Sequence, residues 1–279
     1  MTMTLASFFK THIFTLDILI TLVAVLLLVL LSLRKKALTL PAACTASVMM
    51  LCICICSGYG EVLFLILSYL IIVAVDTLFR KQAEDKVRDV HKKSGARGVI
   101  QILANGSVAV LCTVLYAITR DAAFLLAYIM GVSEACADSL ASDIGVLSKK
   151  KPVSILTFKR IDTGISGGVS LLGLASSLTG CIVMSGIALL CMDIPLRLCV
   201  FAILTAVPFL GMLIDSVLGA SVQAKFRCCV CGKNTEKDTH CGVQTEHVGG
   251  LRFMDNSLVN LVTNLITVII GFAAVKFLL

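Results

Sequence analysis

The 279-residue chain is 58% hydrophobic and only 15% charged, with a mean hydropathy of +1.00, a balance that excludes a water-soluble globular domain. Its net charge of +7 comes with no Trp and with no basic surface interleaved with aromatics, so nucleic acid is not an expected partner.

The first apolar run, residues 13–33, is of spanning length and ends in Arg34-Lys35-Lys36 instead of a small-residue cleavage site. It reads as a transmembrane helix and not as a cleavable signal peptide. Runs of roughly twenty apolar residues then predict helices at 37–57, 60–79, 99–118, 122–147, 166–192, 198–220 and 257–279. The second and third are joined by the tight turn Ser57-Gly58-Tyr59-Gly60. The expected fold is all-α, a polytopic membrane bundle of about eight transmembrane helices forming one integral domain over 1–279. Two loops interrupt it: a basic one over 80–98 and a Cys/His-containing one over 221–256.

With eight helices, connections 1–2, 3–4, 5–6 and 7–8 share one face and carry twenty of the 24 basic residues. The other face has Lys10, Arg120, Arg197 and Lys276. This asymmetry predicts the basic face to be cytoplasmic and both termini to lie on the opposite side; the expected location is the plasma membrane of a prokaryote, as a multi-pass protein.

Polar groups gather toward that basic face. Arg97 and Gln101 precede Asn105 in helix 4, and helix 5 carries Glu134, Asp138, Ser142 and Asp143. Glu134, Asp138 and Ser142 are spaced four apart and share one helical stripe, with Asp143 about 140° round from Asp138. Carboxylates at bilayer depth cost several kcal/mol or more, so they mark an ion, substrate or proton site. Lys159 and Arg160 follow in loop 5–6, and Gly164-Ile165-Ser166-Gly167-Gly168 is expected to open helix 6. Backbone N–H groups at such a start suit a phosphate; glycines there also suit close helix packing, and the spacing leaves both readings open. Asp215 and Ser216 end helix 7, and Asp255, Asn256 and Asn260 begin helix 8. Carboxylates beside a phosphate cradle imply Mg²⁺, with Asp138, Asp143, Asp215 and Asp255 as candidate ligands. Asn105, Asn256 and Asn260 are neutral supplements, and Arg97, Lys159 and Arg160 are candidates to neutralise phosphoryl charge.

Nine of the thirteen cysteines fall in predicted helices, where packing explains them. Cys228, Cys231, His240 and Cys241 in loop 7–8 form a candidate structural Zn²⁺ set, against a reading as reduced thiols in a polar loop.

The ordered motifs Arg97-Gly98 with Gln101 to Gly106, Ala137 to Gly145, Gly164 with Ser166 to Ser170 and Gly173, Asp215 to Ala220 with Gln223, the Cys/His set, and Asp255-Asn256 with Asn260 carry a resemblance. Over roughly residues 80 to 279 the chain resembles the integral membrane family that contains plant phytyl-phosphate kinase, animal transmembrane protein 19 and many archaeal and bacterial proteins. The resemblance implies transfer of a phosphoryl group from a nucleoside triphosphate, CTP in the plant case, to an isoprenoid monophosphate. The matched acidic residues would then bind metal or orient the acceptor, and the matched glycines would hold phosphate. Asp143 stands where the family usually has glutamate, Ser139 where it has threonine, and Ile165 where it often has a polar residue. The competing reading is an ion-coupled transporter using Glu134 and Asp138.

Overall fold

The computed structural model describes residues 14–87, 90, 96–192, 194 and 198–278. Lys10, Arg88, Lys92, Lys93 and Arg197, which enter the charge asymmetry, lie outside the described residues. Eight helices are present among the described ones: α1 (Phe14–Arg34), α2 (Leu40–Cys56), α3 (Tyr59–Val87), α4 (Val99–Thr119), α5 (Ala123–Gly145), α6 (Leu171–Cys191), α7 (Leu198–Ser221) and α8 (Asn256–Leu278). Six of them, α3 to α8, are long and apolar enough to cross a bilayer. The apolar stretches of α1 and α2, Ile18–Arg34 and Leu40–Cys56, are shorter.

The centre of the bundle is α5, which packs against α3, α4, α6, α7 and α8. Tyr128, Ile129 and Met130 are fully enclosed there, and the Tyr128 hydroxyl donates to the Glu61 carbonyl of α3 at 2.7 Å. By contrast α1 turns Leu19, Leu22, Val23, Leu26, Leu27 and Leu30 outward, a face suited to hydrocarbon. A helix held inside a ring of others can carry carboxylates that an outer helix would expose to lipid, and α5 carries them.

Local chemistry explains the helix ends. Thr39 caps α2 with Pro41 in its first turn, and Gln101 accepts from the Gly98 N–H at 2.9 Å to open α4. Arg97 just before it is clamped to the α1–α2 connection: its N–H donates to the Ala37 carbonyl at 2.9 Å, and its carbonyl accepts from the Thr39 N–H at 3.1 Å. The 80–98 loop expected from the sequence is helical as far as Val87, because the charged run Arg80 to Lys86 is, Asp85 apart, made of good helix formers that prolong α3 past its apolar part.

A larger correction concerns helix 6. The glycine run does not open it; α6 starts at Leu171, with the Ser170 side chain accepting from the Gly173 N–H at 3.1 Å. Gly164 and Gly167 have φ of +89° and +82°, which no right-handed helix accommodates. The run instead ends in β2 (Gly168–Val169), paired antiparallel with β1 (Val153–Ser154). A second insert separates α7 from α8. Its strands β3 (Lys225–Arg227), β4 (Asn234–Thr235) and β7 (Glu246–Gly249) form a sheet in the order β4-β3-β7, and β5 (Thr239–His240) pairs with β6 (Val243–Gln244). Gly250 closes this insert: a Cβ there would stand 2.0 Å from the Gln223 carbonyl oxygen, and its φ is +73°.

Candidate functional site

Parts of α3 to α8 and both inserts line a cavity of about 390 Å³. Arg97, Asn105, Asp138, Ser142, Asp143, Asp215, Asp255, Asn256 and Asn260 all line it, as do Gly164, Ser166, Gly167 and Gly168. Five separated stretches of sequence therefore meet at one polar surface.

Three expected residues stand elsewhere. Lys159 and Arg160 are exposed on the α5–α6 connection, where Arg160 bridges Val153 through the backbone, and neither lines the cavity. The connection folds back on itself as a hairpin and turns both side chains away. Glu134 is also absent from the lining: it is buried one turn below Asp138, accepts from Asn264 Nδ2 at 2.8 Å, and lies against Gly211 of α7. The cavity in turn has members that sequence reasoning did not select: Asp76 of α3, Glu236 and Asp238 of the second insert, and Arg252 before α8. Asp76 was detectable as a lone carboxylate near the end of an apolar run. Arg252 had no such signal.

The glycine run is held by packing. A Cβ on Gly167 would stand 2.4 Å from the Ala220 Cβ and 2.5 Å from its Cα, so only glycine lets this turn seat on the end of α7. Ser166 donates to Glu236, which also accepts from Gln223 Nε2 at 2.9 Å. The helix-dipole reading of these glycines therefore fails, because the N-terminus of α6 is capped by Ser170, whose hydroxyl donates to the Gly145 carbonyl at 3.0 Å. The run still forms a wall of the cavity.

Charge within the cavity is mixed. Asp138 interacts electrostatically with Asp143 and Arg97, and Asp215 with Asp138, Glu134 and Glu236. Thr263 donates to Asp215 at 3.2 Å, and an amide ladder runs from Asn256 to Asn260 at 3.3 Å and from Asn260 to Asn105 at 3.2 Å. Asp255 caps α8, its Oδ1 accepting from the Leu258 N–H at 3.0 Å. The carboxylates are hard oxygen donors distributed over several elements. Mg²⁺ commonly takes one or two carboxylates and completes its shell with water and substrate phosphates, so this donor set fits a cation that arrives with a phosphate.

An apolar slot of about 140 Å³ adjoins the polar cavity, and Arg97 and Asn105 line both. Its walls include Val29 of α1, Met49 and Ile53 of α2, Ile66 and Ile72 of α3, Ala109 of α4 and Val132 of α5. From Ala43 to Ile53 along α2 it runs about 15 Å at 1.5 Å per residue. Below its deep end Thr21 and Cys54 meet at 3.2 Å and join α1 to α2. Gly106 keeps α4 close to α2, since a Cβ there would meet Met49 Cε at 2.6 Å.

In the second insert the donor atoms of Cys228, Cys231, His240 and Cys241 all lie within 4.8 Å of one another. Hydrogen bonds from backbone N–H groups, that of Cys231 first, hold the Cys228 thiol down to about 6. The bond to Cys231 is the main cause that pushes the Cys241 thiol up to about 11.

Comparison with known proteins matches residues 23–268 to a family described as integral membrane protein DUF92. The chain is 31% identical over 235 residues to Protein PGR of Arabidopsis thaliana, covering 75% of this chain and 78% of that protein. An uncharacterized membrane protein of Methanocaldococcus jannaschii is 29% identical over 59% of this chain and 66% of its own length. One of Synechocystis is 26% identical over 58% and 63%. No solved structure matches.

Proposed function

Because the chain belongs to the DUF92 family of integral membrane proteins, and is thus a multi-pass protein, we propose that it is an isoprenoid monophosphate kinase, transferring a phosphoryl group from a nucleoside triphosphate, CTP by the plant resemblance, to give a prenyl diphosphate. The observation that carries this reading is the junction of the two compartments at Arg97 and Asn105. A polar cavity with carboxylates and guanidiniums, joined to a narrow apolar slot, suits an amphiphile with an anionic head and a single hydrocarbon chain. The excess of basic residues on this side supports a cytoplasmic placement in a plasma membrane, where nucleotide is present.

In the reaction an oxygen of the acceptor monophosphate attacks the γ-phosphorus. A new P–O bond forms as the bond to the β–γ bridging oxygen breaks, and nucleoside diphosphate leaves. The acceptor oxygen is already anionic, so no strong general base is needed. Arg97, fixed through its backbone before α4, and Arg252, shortly before α8, both line the cavity and neutralise phosphate charge there. Mg²⁺ supplies further charge neutralisation when bound, and Asp138, Asp143, Asp215 and the free edge of the Asp255 cap are the side chains that would hold it. The amide ladder Asn256, Asn260 and Asn105 orients polar head-group atoms. Ser142, Ser166 and the backbone of Gly164, Gly167 and Gly168 complete the phosphate-facing wall.

The test is nucleoside diphosphate release by protein purified in detergent, with CTP or ATP and prenyl monophosphates of graded length. Release that depends on acceptor supports the reading. Folded protein that releases none with any donor and any chain length overturns it.

A further inference from the structure

The second insert has a chemistry of its own, independent of what the cavity binds. Two tight turns face each other in it. In the first, the Gly232 N–H donates to the Cys228 carbonyl at 2.9 Å and the Cys228 N–H to the Lys233 carbonyl at 3.0 Å, with Gly232 at φ +71°. This folds Cys228-Cys229-Val230-Cys231 so that the Val230 and Cys231 N–H groups point at the Cys228 sulfur. In the second, Cys241 and Gly242 take successive left-handed conformations, φ +52° and +77°, at the tip of the β5–β6 hairpin. A non-glycine residue held left-handed at a hairpin tip is a local strain that a fixed side-chain role can maintain.

These turns bring one nitrogen and three sulfurs together. His240 Nδ1 is 3.5 Å from Cys231 Sγ and 3.2 Å from Cys241 Sγ. A tetrahedron with Zn–S of about 2.3 Å and Zn–N of about 2.0 Å has edges of about 3.5–3.8 Å. The set therefore needs only small adjustments to close on an ion. Cys229, exposed between two of the ligands in sequence, is not part of the group.

We propose that Cys228, Cys231, His240 and Cys241 bind one structural Zn²⁺, and that this ion holds the insert as the wall that presents Glu236 to the cavity. The segment between the ligands Cys231 and His240 contains β4, Glu236 and Asp238. Its inner side is fastened to three other parts of the molecule. The Glu236 N–H and the Thr235 hydroxyl both donate to the Val90 carbonyl, at 2.9 and 3.0 Å, and the Glu236 carboxylate receives Ser166 and Gln223. An ion at the two turn tips closes the outer end of this segment. With four protein ligands no coordination position is left for a substrate, so the ion serves architecture and not chemistry.

The metal content of the full chain, purified in detergent without chelator, tests this. Elemental analysis is expected to find about one zinc per chain, falling at least tenfold in Cys228→Ser and in His240→Ala and staying unchanged in Cys229→Ser. Co²⁺ replacing Zn²⁺ should give the intense visible d–d bands of a tetrahedral thiolate site, and its removal should speed amide exchange across 225–249 while α5 stays protected. Wild-type protein without zinc that fails to develop these bands with added Co²⁺ would overturn the proposal. So would equal zinc in wild type and both ligand variants. Neither readout depends on phosphoryl transfer, so a protein that binds zinc here but transfers no phosphate retains this inference and loses the kinase reading.

Discussion

Asp138 and Glu134 show what spacing reveals about a membrane site and what it leaves out. Four residues apart, they occupy one stripe of α5, which the sequence makes legible; yet Asp138 lines the cavity and Glu134 is enclosed by Asn264 and Gly211. Periodicity gives the angle round a helix axis and not which neighbour seals a given depth. The basic residues show the same limit. Lys159 and Arg160 are close in sequence to the glycine run but line no part of the cavity, whereas Arg252, close to nothing suggestive and equally exposed, does line it. Replacing Arg252 by Ala should lower kcat/KM for phosphoryl transfer about 10- to 100-fold, and the double change Lys159→Ala with Arg160→Ala by less than about 3-fold. Initial-rate kinetics on the three proteins check this; a larger loss in the double variant would return those side chains to the site. Glu134 has a structural prediction. Asn264→Leu removes the donor that satisfies a buried carboxylate, and should destabilise the bundle by about 1–3 kcal/mol, read as a lower unfolding temperature in detergent.

Among the elements, the helices were legible because an apolar run of about twenty residues has few alternatives in a bilayer. The expected helix 6, at 166–192, was longer than a span needs, and its first four residues proved to be turn and strand, with the fifth, Ser170, as the cap. The excess length was itself the signal, together with Ser170 as a helix-capping residue. The glycine run then acquires a packing reason that sequence could not supply, since Ala220 comes to Gly167 from 53 residues away. Gly167→Ala forces a Cβ into the α7 backbone at a left-handed position, and should lower thermal stability by about 1–3 kcal/mol and depress turnover with it. Gly98→Ala is the control: its Cβ would meet nothing within 4 Å at an ordinary φ of −92°, and stability should stay within about 0.5 kcal/mol. Melting curves of the two variants separate a seated turn from a merely flexible one.

For the whole molecule, the basic asymmetry indicated which loops share a face; residues of connections 3–4, 5–6 and 7–8 line the cavity, and connection 1–2 reaches it only through its backbone bonds to Arg97. The apolar slot was not legible, because it is made of ordinary core residues from five helices whose registry only the packed bundle defines. If the slot holds the hydrocarbon chain, filling its deep end with Ile53→Phe should shift acceptor preference toward shorter chains by about tenfold in relative kcat/KM, and leave turnover of the shortest acceptor little changed. An unchanged length profile would place the chain elsewhere. Whether a phosphate at the cavity accepts a phosphoryl group is decided by following label from the γ-position of the nucleotide into prenyl diphosphate, with Asp138→Asn alongside wild type. Labelled diphosphate is expected from wild type, with at least about a 100-fold lower rate from Asp138→Asn. Label that never reaches the prenyl phosphate, or transfer equally fast in both proteins, would contradict the kinase reading.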